Sequence, residues 1–363
     1  MSDASLIGQV SLRFSKSPDN DVRDDLSALA LDEDGNLWLG SDEGKGVERL
    51  RPVADGAPGS GFDDHQHFDL FEALRLGALD EDGEIDVEGM DIVGNALWIT
   101  GSHTSTRKNR KGPDVRKNLK RLTKVRRQPN RYVVGRVSLS DGVPSGAAAR
   151  LPMNRDGNAL TEALREDQHL GPFLHIPHRE EASIQLASKE NGFDIEGLAV
   201  HGDRLFLGLR GPVLRGWAAL VIEIEPKEAA DGELALEGIG RKGRPYRKHF
   251  VDLAGMGVRD LCWSGDDLLI LAGPTMDLTG LQTVWRLRDA ADLDDDTISD
   301  GSGGRLQRLF DLPIVRNVDK AEGIALYDGL GEPGLIVLYD APSQARKPDE
   351  TSYLADVYRL PKP

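Results

Sequence analysis

The chain has 363 residues, and 61 acidic residues against 45 lysines and arginines give it a formal net charge of −16. This charge excludes general binding to nucleic acid or to an anionic membrane as an expected role. Cys262 is the one cysteine, so no disulfide can form within the chain, and we expect its thiol to lie in the core.

The N-terminal residues carry no targeting signal that we recognise. The first ten residues have no basic flank followed by a long apolar run, which is the pattern of a signal peptide. No stretch of the chain approaches 18 apolar residues, the length of a spanning helix. We therefore expect a cytoplasmic protein that does not enter a membrane.

Short apolar runs around tight turns recur along the chain and predict pairs of β-strands. The clearest pair lies between Phe193 and Gly211, on either side of the turn at 201–204. Aligning the pairs on their turns brings five positions into register at intervals of 61 to 63 residues, with one longer interval of 108. The aligned positions are Ser27, Glu88, Glu196, Arg259 and Glu322.

Strand-only units at a regular spacing are typical of a β-propeller, in which small sheets form a closed ring. We predict an all-β chain that folds as a single β-propeller domain over residues 1–363. Five blades account for the units found, and six are the alternative because the long interval has room for one more. The alternating segment Gly8–Phe14 is predicted to close the ring as a last outer strand.

Two helical inserts are predicted in the long interval, in the region of the second blade. The first covers 104–130, and residues 107–131 contain twelve lysines and arginines against one acid. Its apolar residues recur at helical spacing and predict one stripe on a basic helix: Val115, Leu119, Leu122 and Val125. This helix is a solvated element paired with the acidic body, an anion-binding arm over the ring, or a membrane-surface helix.

The second insert covers 154–190. Asn158 is predicted to cap a short helix at its start, and a loop rich in glycine and proline follows.

The aligned positions predict a polar site at one end of the ring. In a propeller blade the first strand lines the central channel, so Glu88, Glu196 and Glu322 are expected to meet at a common mouth. Carboxylates at close range need a cation, a guanidinium partner or protonation. Oxygen ligands of this kind favour Ca²⁺ or Mg²⁺, which we expect these three glutamates to hold. Because Arg259 takes the same position in another unit, an ion network without metal is the alternative, and separate backbone-capping roles are a third.

Arginines are predicted around the same mouth, in the loops that follow the second strands and at one aligned position. Planar guanidinium groups bind phosphates and carboxylates well, so we expect an anionic small molecule as the ligand. The predicted ligand-binding residues are Arg107, Arg210, Arg215 and Arg259. In an enzyme, His103 or Asp260 would serve as the general base.

Several motifs resemble an uncharacterised bacterial family known as domain of unknown function 3616. They are GFDIEGLAV, LRGPVLRGWA, VRDLCW and LAGPTMD, with GSHTSTRK before the basic insert. The resemblance extends from SDEG in the first blade to Glu322 and implies a propeller without an established activity. The DxEG-type start of the first strands is also similar to esterase-like phytases and gluconolactonase-type propellers. That second likeness implies a metal-binding role for Glu88, Glu196 and Glu322, although the asparagine ligands of that group are not evident here.

The sequence thus predicts a cytoplasmic propeller that binds an anionic small molecule at the mouth of its channel. If it is an enzyme, metal-dependent hydrolysis of a phosphoester or an ester is the expected reaction. The alternative is a non-catalytic scaffold that binds a protein partner through the basic insert and the blade rims.

Overall fold

The computed structural model describes residues 5–16, 21–53, 59–80, 83–174 and 186–362. The all-β prediction is confirmed, since two short α-helices and several 3-10 turns are the helical elements of these ranges. Among the residues described, no helix has the length and apolar character needed to cross a membrane.

Most strands pair with their neighbours along the chain in antiparallel sheets, and the first and last groups of strands are joined through the N-terminal strand into one eight-stranded sheet. This N-terminal strand, β1, is Leu6–Arg13, and the first group contains β2 (Leu26–Leu31), β3 (Leu37–Ser41), β4 (Gly46–Pro52) and β5 (Phe62–Asp69). The next elements are β6 (Val87–Val93), β7 (Ala96–Gly101), β8 (Ser105–Arg107), α1 (Val115–Leu122), β9 (Val125–Arg127), β10 (Val134–Ser140) and β11 (Val143–Arg150). Of these, β6, β7, β10 and β11 form the second sheet, while β8 and β9 form a separate hairpin around α1.

Further sheets follow the second insert. After β12 (Met153–Asn154), β13 (Gly157–Asn158) and α2 (Ala159–Leu164) come β14 (Asp194–His201), β15 (Arg204–Leu214), β16 (Ala218–Ile224), β17 (Pro226–Glu228), β18 (Leu234–Leu236) and β19 (Arg247–Asp252). The remaining strands are β20 (Gly257–Ser264), β21 (Asp267–Gly273), β22 (Thr283–Leu287), β23 (Thr297–Ser299), β24 (Leu306–Asp311), β25 (Lys320–Tyr327), β26 (Gly334–Asp340) and β27 (Ser352–Arg359).

The 3-10 turns are Val22–Asp24, Pro129–Tyr132, Gly171–Phe173, Ala230–Gly232, Arg241–Gly243, Ala290–Asp292, Gly301–Gly303 and Gln344–Arg346.

The sheets are arranged around a common axis as in a β-propeller. The first strands β2, β6, β14, β20 and β25 pack against one another in that order, and β25 packs back onto β2. Strand β1 pairs antiparallel with β27, so the predicted closing role of the N-terminal strand is confirmed. The ends of the chain therefore meet in one sheet, and each first strand has a neighbour on both sides.

A β-bulge interrupts the first strand of each sheet at the position aligned from the sequence. Ladder pairing skips Ser27, Glu88, Glu196, Arg259 and Glu322. A bulge leaves one residue out of the ladder and re-aims its side chain. The repeated pattern of the sequence is therefore a repeated backbone irregularity. Four of the five side chains line one cavity, namely Glu88, Glu196, Arg259 and Glu322, whereas Ser27 donates to the carbonyl of Val87.

Glycine after the bulge allows neighbouring first strands to approach closely. A Cβ atom on Gly89 would lie 2.7 Å from the backbone nitrogen of Leu198, and one on Gly197 would lie 3.0 Å from Leu261 Cγ. The hydrophobic core lies outside these contacts, between the faces of adjacent sheets. Cys262, predicted to be a core residue, is only partly buried, against one such cluster.

Both inserts contain a capped helix. Asn158 accepts a hydrogen bond from the backbone N–H of Thr161, and Thr161 Oγ1 accepts one from the backbone N–H of Asn158, so the predicted cap is confirmed as a capping box. Asp114 caps α1 through the N–H of Lys117, but α1 buries no residue.

Candidate functional site

The channel opens into a cavity of about 250 Å³ at the end of the ring where the first strands begin. We call this cavity the channel mouth. Its charged lining residues are Asp42, Glu43, Glu84, Asp86, Glu88, Arg131, Lys189, Asp194, Glu196, Arg210, Arg259, Asp277, Asp319, Lys320, Glu322 and Asp340. The structure thus brings Glu88, Glu196 and Glu322 into one cavity with Arg210 and Arg259.

Two arginines neutralise two of the three glutamates. Arg259 Nη2 donates to Glu322, and its Nε lies 3.0 Å from Glu196 Oε2. Arg210 Nη1 donates to the other oxygen of Glu196, and its Nε lies 3.1 Å from Asp194 Oδ2. All these side chains are at most 13% exposed, so the pairs are weakly screened by solvent. This arrangement is the ion network that the sequence left open as an alternative.

The glutamates do not fit the predicted Ca²⁺ or Mg²⁺ site. A divalent cation needs several oxygen ligands that face one point. Here the guanidinium of Arg259 lies between Glu196 and Glu322, where such an ion would have to bind. In the described ranges, no group of three or more His, Cys, Asp or Glu side chains is arranged to hold a metal. We therefore derive no chemistry through a metal at this site.

Glu88 differs from the other two glutamates. In the described part of the chain it has no hydrogen bond and no ion pair, although it lines the same cavity. Burial raises the pKa of Glu88 well above its usual value, and the neighbouring charges of Asp86 and Glu196 raise it further. Among the described residues Glu88 thus has no ion-pair partner in contact with it, and the charge of Arg210, which Asp194 and Glu196 already bind, acts on it only from a distance.

The acids near Glu88 share its environment. Burial raises the pKa of Asp42 to about 7 and that of Asp194 to about 8, although Arg210 opposes the shift at Asp194. Asp86, bound by Ser102 Oγ and by Arg131 Nη1 at 2.9 Å, has a pKa raised to about 6 by burial. Each of Asp42 and Asp194 also has one buried carboxyl oxygen without a hydrogen-bond partner. The wall on this side therefore holds several acids that are partly protonated near neutral pH.

Two of the predicted arginines do not line the channel mouth. Arg107 binds Glu190 through two nitrogens, one of them at 2.8 Å, and donates to the carbonyl of Leu122 at 2.9 Å. It joins the two inserts. Arg215 is exposed in the tight turn between β15 and β16, with a φ of 52°.

The two predicted general bases also lie elsewhere. His103 is 3% exposed; its Nδ1 donates to the carbonyl of Gly101, and its Nε2 accepts from Asn158, each at 2.8 Å. Burial lowers the pKa of His103 to about 4, so the ring is neutral with both nitrogens occupied. Asp260 accepts from the backbone N–H groups of Ile324 at 2.7 Å and Leu261 at 2.8 Å, which ties β20 to β25. Neither residue has a free atom facing the mouth, so the structure supports neither as a general base.

The sequence analysis did not identify an apolar rim on the channel mouth. Met276, Leu278, Ile314 and Val315 line the cavity and are 41% to 58% exposed. They lie in the loops after β21 and β24, not in strands. The sequence did contain a sign of this rim, because large apolar residues occur there in proline-containing loops, where packing in the core does not explain them.

The basic insert is attached to the body at its base, and its helix is exposed. Arg107 and Arg127 pair with Glu190 and Asp156 of the second insert. On α1 the apolar residues Val115, Leu119 and Leu122 are 69%, 61% and 47% exposed. The two ion pairs attach the base of the insert to the body, while no residue of α1 is buried among the described residues.

Comparisons with known proteins give a family but no activity. The family model described as a protein of unknown function, DUF3616, matches residues 25–356. No curated protein matches the chain.

Solved structures with related folds are only distantly similar. A virginiamycin B lyase from Staphylococcus aureus has 9% identity and a TM-score of 0.34, over 98% of this chain and 75% of that one. A putative gluconolactonase has 11% identity and a TM-score of 0.39, over 98% and 95%. The PQQ-bound aldose sugar dehydrogenase of Streptomyces coelicolor has 12% identity and a TM-score of 0.38, over 98% and 100%. Likenesses this weak carry no inference about a ligand or a reaction.

Proposed function

We propose that this chain, which belongs to the family of proteins of unknown function DUF3616, binds a positively charged small molecule at the channel mouth. The observation that carries the proposal is that, among the described residues, Glu88 lacks an ion-pair partner in contact with it. Three equivalent bulges place a glutamate in the cavity, and guanidinium groups of the chain itself pair with two of them. An ammonium or guanidinium group on a ligand would complete the third pair in the same way.

The charge of the lining supports a cationic ligand. Eleven acids and five bases line the channel mouth, a formal excess of six negative charges. Burial and mutual repulsion keep some of these acids protonated, at a cost that a bound cation would remove. A cation that binds there stabilises the ionised form of several acids at once. Small-molecule sites are usually concave and combine apolar side chains with converging polar groups, as this cavity does.

The anionic ligand predicted from the sequence has less support. Its guanidinium groups were to come from four arginines, but Arg107 and Arg215 lie outside the cavity lining. Arg210 and Arg259 do line it, and carboxylates of the chain already bind them. Within the ranges that the structure describes, Arg210 Nη2 has no hydrogen-bond partner, but a phosphate bound there would add negative charge beside the buried carboxylates of Asp194 and Glu196. Metal-dependent hydrolysis stays an untested prediction that this geometry does not favour.

A ligand screen by thermal unfolding tests the proposal. We expect n-butylammonium and methylguanidinium to raise the unfolding temperature of the wild type, and inorganic phosphate to have no effect, because a ligand that binds only the folded state stabilises it. Glu88→Gln should lose the effect of both cations. Glu72→Gln, which removes an exposed carboxylate outside the cavity lining, is the matched control and should keep it. Stabilisation by phosphate but by neither cation would overturn the proposal.

A second candidate function is supported by α1. Its exposed stripe of Val115, Leu119 and Leu122 on a basic helix suits a protein partner with an acidic, partly apolar surface. This is the scaffold alternative of the sequence analysis. Binding of a fluorescent acidic amphipathic peptide should weaken on Leu119→Ser and on Lys120→Glu, but not on Glu88→Gln. Equal binding by all three variants would exclude a role for α1.

We also infer that the ring has five blades. The cyclic order of the first strands returns to its start after β2, β6, β14, β20 and β25, which supports five. The long interval of the sequence contains the two inserts instead of a sixth blade. An experimental structure in which another sheet separates β6 from β14 would contradict this assignment.

A further inference from the structure

The channel mouth has an apolar edge that a simple cation site does not need. Met276 and Leu278 follow β21 and are 48% and 58% exposed, and Ile314 and Val315 follow β24 and are 58% and 41% exposed. Soluble proteins seldom gather exposed large apolar side chains in one place unless the place binds something. These four side chains line the same cavity as Glu88, so one ligand can reach both.

The two loops form one continuous edge. The backbone N–H of Asn317 donates to Thr279 Oγ1 at 3.1 Å, and the Thr279 hydroxyl donates to Asn317 Oδ1 at 3.2 Å. Lys320 Nζ, at the start of β25, also lies 3.3 Å from Asp277 Oδ1 in the loop after β21. These links fix the loop after β21 against the loop after β24. The apolar side chains are thus held as a surface by hydrogen bonds between their own loops.

The apolar edge lies across the channel from Glu88. Glu88 is on β6, in the second sheet of the ring, whereas the edge belongs to the sheet of β20 and to the loop leading into β25. Neither β20 nor β25 is a neighbour of β6 in the cyclic order of first strands. A ligand in the mouth therefore meets Glu88 on one side and apolar side chains on the other. The acids beside those apolar side chains already have basic partners, namely Asp277 with Lys320, Asp319 with Arg346 and Glu322 with Arg259.

We propose that the ligand is an amphipathic monocation, with one ammonium or guanidinium group at Glu88 and an apolar body against Met276, Leu278, Ile314 and Val315. This inference rests on the proposed function and names the chemical class of its ligand. An inorganic cation would leave the apolar edge unused. A polyamine would place a second charge against the apolar side chains, where Asp277 already pairs with Lys320, and that charge would lose water without gaining a free acid.

A series of alkylammonium ions measures the apolar contribution. Calorimetric titration of the wild type with methylammonium, n-butylammonium and n-hexylammonium should show Kd falling with each added methylene, by about twofold to fourfold. The dication of 1,6-diaminohexane has the same length as n-hexylammonium and should bind more weakly. A Kd that does not depend on chain length would overturn the inference, as would tighter binding of the dication.

Variants separate the two parts of the site. Leu278→Ser and Ile314→Ser should remove most of the dependence of Kd on chain length but leave the affinity for methylammonium unchanged. Ile298→Ser is the matched control, because Ile298 is 69% exposed on β23 and lies outside the cavity lining. Its chain-length dependence should equal that of the wild type. A loss of chain-length dependence in Ile298→Ser but not in Leu278→Ser or Ile314→Ser would place the apolar body elsewhere.

Failure of this inference differs from failure of the proposed function. If no alkylammonium ion binds the wild type, or if Glu88→Gln binds all of them as tightly, the cation site itself is absent. If all bind with equal affinity and Glu88→Gln loses them, the cation site stands and the amphipathic ligand is refuted.

Discussion

Replacing Arg259 by glutamine removes the guanidinium that lies between two buried glutamates. Arg259 is 6% exposed, with Nε at 3.0 Å from Glu196 Oε2 and Nη2 donating to Glu322. Removing one partner of a buried pair leaves a charge without compensation and costs about 3–5 kcal/mol. Unfolding entropy of about 2 cal/mol/K per residue gives roughly 0.8 kcal/mol/K for a chain of 363 residues. The unfolding temperature of Arg259→Gln should therefore fall by about 4–6 °C.

Differential scanning calorimetry measures this fall, and a double variant tests its cause. In Arg259→Gln, Glu196 keeps its pair with Arg210, whereas Glu322 loses the pair with Arg259. Adding Glu322→Gln removes that carboxylate, so the double variant should recover part of the lost stability, as expected for residues in direct contact. A fall of less than about 1 °C for Arg259→Gln would show that the ion pairs do not form as described. If the double variant loses more stability than the two single variants lose together, the electrostatic explanation is refuted.

Three further predictions concern the acids and the buried histidine. Without ligand at pH 8, Glu88→Gln should unfold at the same temperature as the wild type or higher, because the ionised Glu88 has no partner to lose; a clear fall would reveal a missed contact. Thermal stability should decrease from pH 5 to pH 8, because folding raises the pKa of Asp42 from 3.8 to about 7 and that of Asp194 from 3.8 to about 8, and the stability that such groups contribute is lost as the pH rises through the folded values. Added n-butylammonium should reduce this decrease. A rise in stability over the same range would contradict the raised pKa values. His103→Ala should lower the unfolding temperature, because it removes the partner of Asn158 and leaves a buried cavity, but it should not change the Kd for n-butylammonium; a changed Kd would place His103 in the site.

The ring and the convergence of its acids followed from the sequence because a backbone feature repeats. A residue at a bulge that is followed by glycine recurs in three units as Glu-Gly, at Glu88, Glu196 and Glu322. Because the bulge and the close packing of the glycine are local requirements, aligning the turns was enough to find them.

The partners of those acids did not follow from the sequence. Spacing places Arg210 and Arg259 near the channel, but it does not tell whether a guanidinium binds a glutamate of the chain or faces a ligand. Both arginines bind carboxylates of the chain, and our proposal of a cationic ligand in place of an anionic one rests partly on this. His103 has a φ of 58° in the loop after β7, and that turn places its ring among the inserts. Such a backbone conformation in a non-glycine residue has no reliable sequence signal.

A crystal structure of the protein with n-hexylammonium tests the central claim most directly. The claim predicts the ammonium nitrogen within about 3 Å of a Glu88 carboxyl oxygen, with the alkyl chain against Leu278 and Ile314. An ammonium group bound away from Glu88 would contradict it, and so would an anion bound to Arg210 in the same cavity.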